Sequence, residues 1–123
     1  MPVNARTTPK GAVVQPWKFG FRLSEGHLKV DVGAGDPAAL TFVNRTDFEV
    51  QFHFHTPFLS DPRGGGPLRV LKLKAGQPPQ TRSLLPDAVG WYEYEARVMV
   101  RAGKDLEYIE ASGGSRPDVD IQR

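Results

Sequence analysis

The chain has 123 residues, enough for one domain, with 39% hydrophobic and 24% charged residues and a net charge of +2. It contains no cysteine, which excludes disulfides, thiolate zinc sites, iron–sulfur clusters and a cysteine nucleophile. Its 13 glycines and 11 prolines exceed their usual combined share of roughly 12% and follow no period, which excludes collagen and points to a turn-rich all-β chain.

Residues 1–16 read as an extended N-terminal arm, because Pro2, Pro9, Gly11 and Pro16 obstruct a helix. Residues 17–123 read as the folded domain. From Trp17 the pattern has period two: Phe19, Phe21 and Leu23 share one strand face, with Lys18, Gly20 and Arg22 opposite. Leu28, Val30 and Val32 repeat it against His27, Lys29 and Asp31, and Gly33–Pro37 is a turn before the strand Leu40–Asn44. The run Phe48–His55 sets Phe48, Val50, Phe52 and Phe54 against Glu49, Gln51, His53 and His55. A Pro- and Gly-rich loop over 56–67 leads to a strand at Arg69–Lys74, with Leu71 and Leu73 inward, and to a turn at Gly76–Pro79. Trp91–Val100 is the longest strand, with Tyr92, Tyr94, Ala96, Val98 and Val100 on one face. Asp105–Ala111 and Asp118–Gln122 complete the pattern around a turn at Ser112–Pro117. No stretch has helical period and caps, and no repeat is visible. Seven to nine short strands with regular turn signals predict a single Greek-key β-sandwich.

The order of these segments resembles the cupredoxins. The run Leu40-Thr41-Phe42-Val43-Asn44 before a histidine-bearing strand is similar to that family's strand ending in Asn ahead of the first copper-ligand histidine. Gly90-Trp91-Tyr92-Glu93-Tyr94-Glu95-Ala96 is similar to its Gly-x-Tyr-x-Phe/Tyr-x-Cys segment, which delivers the copper thiolate. The resemblance covers residues 17–123 and implies a cupredoxin-like β-sandwich. The ligands do not carry over. Ala96 stands at the cysteine position, no histidine follows His55, and Met99 stands where plastocyanin-like spacing has the second histidine. The short Cu–S bond of a blue-copper centre cannot form without the thiolate.

His53-Phe54-His55 also resembles the His-x-His strands of multicopper oxidases. Residues i and i+2 of a strand lie about 6.6 Å apart on one face, so two imidazoles so placed can serve one copper or zinc ion. A closed site needs three or four ligands. His27, Glu49, Glu93, Glu95 and the N-terminal amine are the candidates. The simpler reading leaves His53 and His55 on the outer face of a half-buried sheet.

No phosphate-binding glycine motif is present; Gly64-Gly65-Gly66 reads as a flexible loop, and no serine sits in a nucleophile elbow. Glu93 and Glu95 read as exposed alternation with Arg97, and Trp91 as a core or rim anchor, with an aromatic surface of Trp17, Phe58 and Tyr108 as the other use for it. The positive excess lies in residues 1–24, which carry Arg6, Lys10, Lys18 and Arg22 and no acid. Arg63, Arg69, Lys72, Lys74 and Arg82 form a second basic run without interleaved aromatics, so no nucleic-acid partner is expected. No window is apolar enough for a membrane span, and Met1–Arg6 has no signal-peptide run. The chain is therefore expected to be cytoplasmic, or a periplasmic or secreted form cut from a precursor. The expectation is a non-catalytic binding or assembly domain without cofactor, meeting a protein partner or a second copy through a sheet edge or exposed face. The alternative is a type-2 copper or zinc protein using His53 and His55.

Overall fold

Alternation of apolar and polar side chains builds most of the strands of the computed structural model, which describes residues 8–102, 105–111 and 116–123. Among these there is no α-helix. Eleven strands form: β1 Lys10–Trp17, β2 Gly20–Leu23, β3 His27–Asp31, β4 Ala39–Asn44, β5 Glu49–His53, β6 Val70–Leu73, β7 Gln80–Ser83, β8 Gly90–Glu93, β9 Glu95–Ala102, β10 Asp105–Glu110 and β11 Asp118–Gln122. They make three sheets, ordered β2-β1-β4-β7, β10-β9-β5-β6 and β3-β11-β8. The pairings are antiparallel except β1 with β4 and β3 with β11.

The first two sheets pack face to face through an aromatic core. Phe42 of β4 lies 4.8 Å, centroid to centroid, from Phe52 of β5, and Phe54, Phe58 and Tyr94 complete the cluster. All five rings are buried. Such offset and edge-on ring pairs add to the burial of their area. The third sheet is shared between the other two by the chain itself. β2 and β3 are one sequence run broken at Ser24, Glu25 and Gly26, and β8 and β9 are one run broken at Tyr94.

Three differences from the sequence reading raise the strand number. Residues 10–16, expected as an arm, belong to β1, whose Ala12 and Val14 are fully buried. Residues 1–7 of that arm lie outside the described residues. Pro16 is compatible with the strand because β4 pairs β1 only as far as Val14, so its missing N–H interrupts no ladder on that side. β7 carries no large apolar residue and so had no periodic signal. The run Trp91–Val100 keeps the expected buried face but is divided between two sheets. Gly90 opens it at φ +97, a conformation suited to glycine. Of the turn expected at Ser112–Pro117, residues 112–115 lie outside the described residues.

β1 and β4 approach so closely that a side chain at Gly11 would overlap the Thr41 carbonyl oxygen. A second constraint is Asn44, buried at the end of β4. Its Nδ2 donates to the Phe48 carbonyl at 2.7 Å and the Leu73 carbonyl at 3.0 Å, while Oδ1 accepts from Thr46 N and Oγ1. One side chain thereby fixes the β4–β5 turn and ties it to β6. Asn44→Ala strands these buried groups and is expected to cost about 1–3 kcal/mol of stability, read by chemical denaturation. A loss of a few tenths would show that water replaces the side chain.

Candidate functional site

β5 and β9 are adjacent and antiparallel, with Gln51 opposite Arg97, Phe52 opposite Ala96 and His53 opposite Glu95. The even-numbered members face the core, so Glu49, Gln51 and His53 share the outer face with Glu95, Arg97 and Met99. Chemistry assigns the hydrogen bonds along β5. A carboxylate only accepts, so Gln51 turns its amide nitrogen to Glu49 Oε2 at 2.8 Å. Its amide oxygen must then face His53, whose Nε2–H donates to it at 2.9 Å. The imidazole is further held neutral. Burial lowers the His53 pKa below its ordinary value, and the positive charge of Arg97 lowers it more, outweighing the opposing pull of Glu95.

Glu95 is the one acid buried among the described residues, at 5% exposure. The sequence reading had it exposed beside Glu93. Only Glu93 is exposed, because the passage from one sheet to the next at Tyr94 separates the two acids. Burial alone would raise the Glu95 pKa. Hydrogen bonds and charge from Arg97, together with His55 and Arg116, outweigh it and hold the carboxyl below the ordinary glutamate value. Arg97 Nε donates to Oε2 at 2.9 Å, Arg116 Nη2 reaches Oε1 at 3.0 Å, and His55 Nε2 lies 3.5 Å from Oε1. The guanidinium of Arg97 also stacks on Tyr108, 4.6 Å from its ring centroid.

Above this carboxylate opens a rim cleft of about 290 Å3, lined by His55, Thr56, Trp91, Tyr92, Glu93, Tyr94 and Arg116. Trp91 is 69% exposed, a rim residue and not a core anchor. The Tyr94 ring is buried in the aromatic cluster, and its hydroxyl has no hydrogen-bond partner among the described residues. Burial pushes its pKa well up, with the Asp118 charge adding to the effect, so the phenol stays protonated. An indole face, a guanidinium, a carboxylate and an imidazole on one rim are recognition groups for a polar ligand with a flat apolar side.

The structure brings His53, His55 and Glu95 into one neighbourhood and scatters the other expected ligands. His27 lies in another sheet, its Nδ1 2.8 Å from Asp118 Oδ1. Glu49 is engaged with Gln51. Met1 lies outside the described residues. Among the described residues no three His, Asp or Glu side chains converge closely enough to hold a metal ion. The aromatic surface of Trp17, Phe58 and Tyr108 does not form, since Phe58 is core. Sequence reasoning missed Arg116 altogether, because nothing local announces that a residue before β11 reaches β9. Glu95-x-Arg97 was legible as a same-face pair.

Glu95→Gln keeps the shape and removes the charge. It is expected to lower stability by about 1.5–3 kcal/mol at neutral pH, the range for hydrogen bonds to a charged group. A depressed carboxyl contributes stability above its unfolded-state pKa and loses it as the pH falls through the folded one. The gap to wild type should therefore shrink as the pH drops below the ordinary value of 4.5. Urea unfolding at a series of pH values checks this, and a gap that stays constant into acid would assign the loss to packing. The chain matches no protein-family model, no curated protein and no solved structure.

Proposed function

We propose that this chain is a non-catalytic, Greek-key β-sandwich binding domain of cupredoxin-like build, without a blue-copper site, that recognises its ligand at the Trp91–Arg116 rim cleft. The observation that carries this reading is Ala96. Its methyl group is at 0% exposure, opposite Phe52. It thus stands sealed in the core where the resemblance has a copper thiolate. The residues do not fit blue copper, for neither a thiolate nor a histidine beyond His55 is available to complete the ligand set.

Two observations support the cupredoxin-like build. The histidine-bearing strand β5 lies beside Glu95 and Ala96, the end of the Gly90–Ala96 run whose first part, β8, belongs to the third sheet, and the first sheet pairs β1 with β4 in parallel. The cleft supports binding over catalysis. Its cationic groups, Arg116 and His55, are turned to Glu95, so neither stands poised beside a nucleophile. Loading with copper(II) is expected to give no intense visible charge-transfer band; such a band would overturn the reading.

A second reading has one observation in its favour: His53 and His55 flank the Glu95 carboxylate, and His53 is neutral and so able to ligate. It is a type-2 copper or zinc site. Titration calorimetry on wild type and the His53→Ala/His55→Ala double variant separates the two. Equal, weak affinities are expected if the rim only binds a polar ligand, whereas tight binding lost in the double variant would establish the metal site.

A further inference from the structure

We propose that the β1–β2 hairpin is a membrane-docking tip that seats its aromatic rings in the surface of an anionic phospholipid bilayer. Trp17 pairs with Gly20, which leaves Lys18 and Phe19 as a two-residue turn. The sequence alternation would put Phe19 inward on a strand, yet it stands at the apex with 106% exposure, covered by none of the described residues. Lys18 holds φ +48, a region disfavoured for residues with side chains. The turn thus combines a disfavoured backbone with a ring in water, and neither serves the core.

The surroundings match a lipid interface. Trp17 is half exposed, with the Arg22 guanidinium 4.8 Å and the Lys18 ammonium 5.6 Å from its ring centroid. Phe21 packs edge-on against Phe48 at 5.9 Å, and Phe48 is itself 41% exposed. β4 runs parallel to β1, so Arg45, whose N–H donates to the Val14 carbonyl, emerges at the same end. Exposed at that end among the described residues are the cations Lys18, Arg22, Arg45 and Arg101, with Asp47 and Glu107 as acids. Between residues 8 and 24 there is no acid, and the remaining cation, Lys10, is held by Asp36 at the far end of β1.

A convex tip with rings at its apex and cations around them suits an apolar medium beneath a layer of phosphates. The phenyl ring enters the acyl boundary, the indole sits at headgroup level, and the cations reach the anionic lipids. No helix among the described residues is long and apolar enough to cross a membrane, and this docking needs none.

Trp91→Phe leaves Trp17 as the only indole of a chain with two tryptophans. In that background, vesicles of phosphatidylcholine with about 30% phosphatidylglycerol should shift the Trp17 emission to the blue and co-sediment the protein, and salt should weaken both by screening. Pure phosphatidylcholine should bind much less. Phe19→Ser, at a position the fold does not bury, should keep the melting curve and lose about tenfold or more in vesicle affinity. Lys18→Glu/Arg22→Glu should abolish the preference for anionic lipid. Absence of co-sedimentation, or equal binding by Phe19→Ser, overturns the proposal. So does a sedimentation-velocity dimer that Phe19→Ser dissolves without any vesicle binding, since the tip would then dock a second copy.

Discussion

A buried carboxylate is unstable unless cations come to it, and the rim of this protein is organised around that requirement. Glu95 draws in Arg97 from its own strand, Arg116 from the segment before β11, and His55 from the end of β5. Those three segments belong to different sheets or to the connections between them, so one charge holds together the corner where the chain crosses from β8 to β9. The cations are partly exposed while the acid is not. Their own desolvation is thus small, and the arrangement avoids most of the penalty of a fully buried ion pair.

The same requirement explains the rim cleft. With Arg116 and His55 turned to Glu95, the space between them and Trp91 is walled by side chains that the ion pairs already restrain. A restrained wall loses little conformational entropy when a ligand arrives. The Tyr94 hydroxyl is the exception. It is held in the aromatic core by the rings of Phe42, Phe52, Phe54 and Phe58, without a partner among the described residues. Losing a hydrogen bond there is offset by burying the ring, which is the larger effect.

What could be read in the sequence follows from the range of the interactions involved. Alternation is a local property, so the period-two runs predicted the buried faces at the centres of the strands: Val50, Phe52 and Phe54, and likewise Tyr94, Ala96 and Val98, all point inward, whereas Phe48 at the start of its run is half exposed. Local alternation could not tell where a run changes sheets, so Glu95 was paired with Glu93 when it belongs with Arg116. Nor could it tell a strand from a turn at Phe19, since the closing pair Trp17–Gly20 is set by registration against β2. β1 was hidden by Gly11 and Pro16 within it and Pro9 before it. Gly11 and Pro16 look like helix and strand breakers, yet one permits the close approach to Thr41 and the other lies where β4 has already ended. The histidines were visible as a same-face pair. Their hydrogen-bonding was not, because it depends on Gln51 and on residues across the ladder.

The strand register puts the two surface features at opposite ends of the molecule. Glu49 and Met99 mark one end of the β5–β9 ladder, near the turn that carries Phe48, and His53 and Glu95 mark the other. The hairpin aromatics belong to the first end and the Trp91 cleft to the second. The two ends also differ in kind. At the rim, every cation beside the exposed indole is committed to a buried acid, which leaves a concave surface of restrained polar groups. At the hairpin, Lys18 and Arg22 lie over an indole and face solvent, and the surface is convex and apolar at its apex. A concave site selects by shape and a convex aromatic tip by phase, so the two ends suit different partners: a polar ligand at the rim and a lipid surface at the tip. A tip seated in a bilayer would leave the cleft pointing into the water, free to bind.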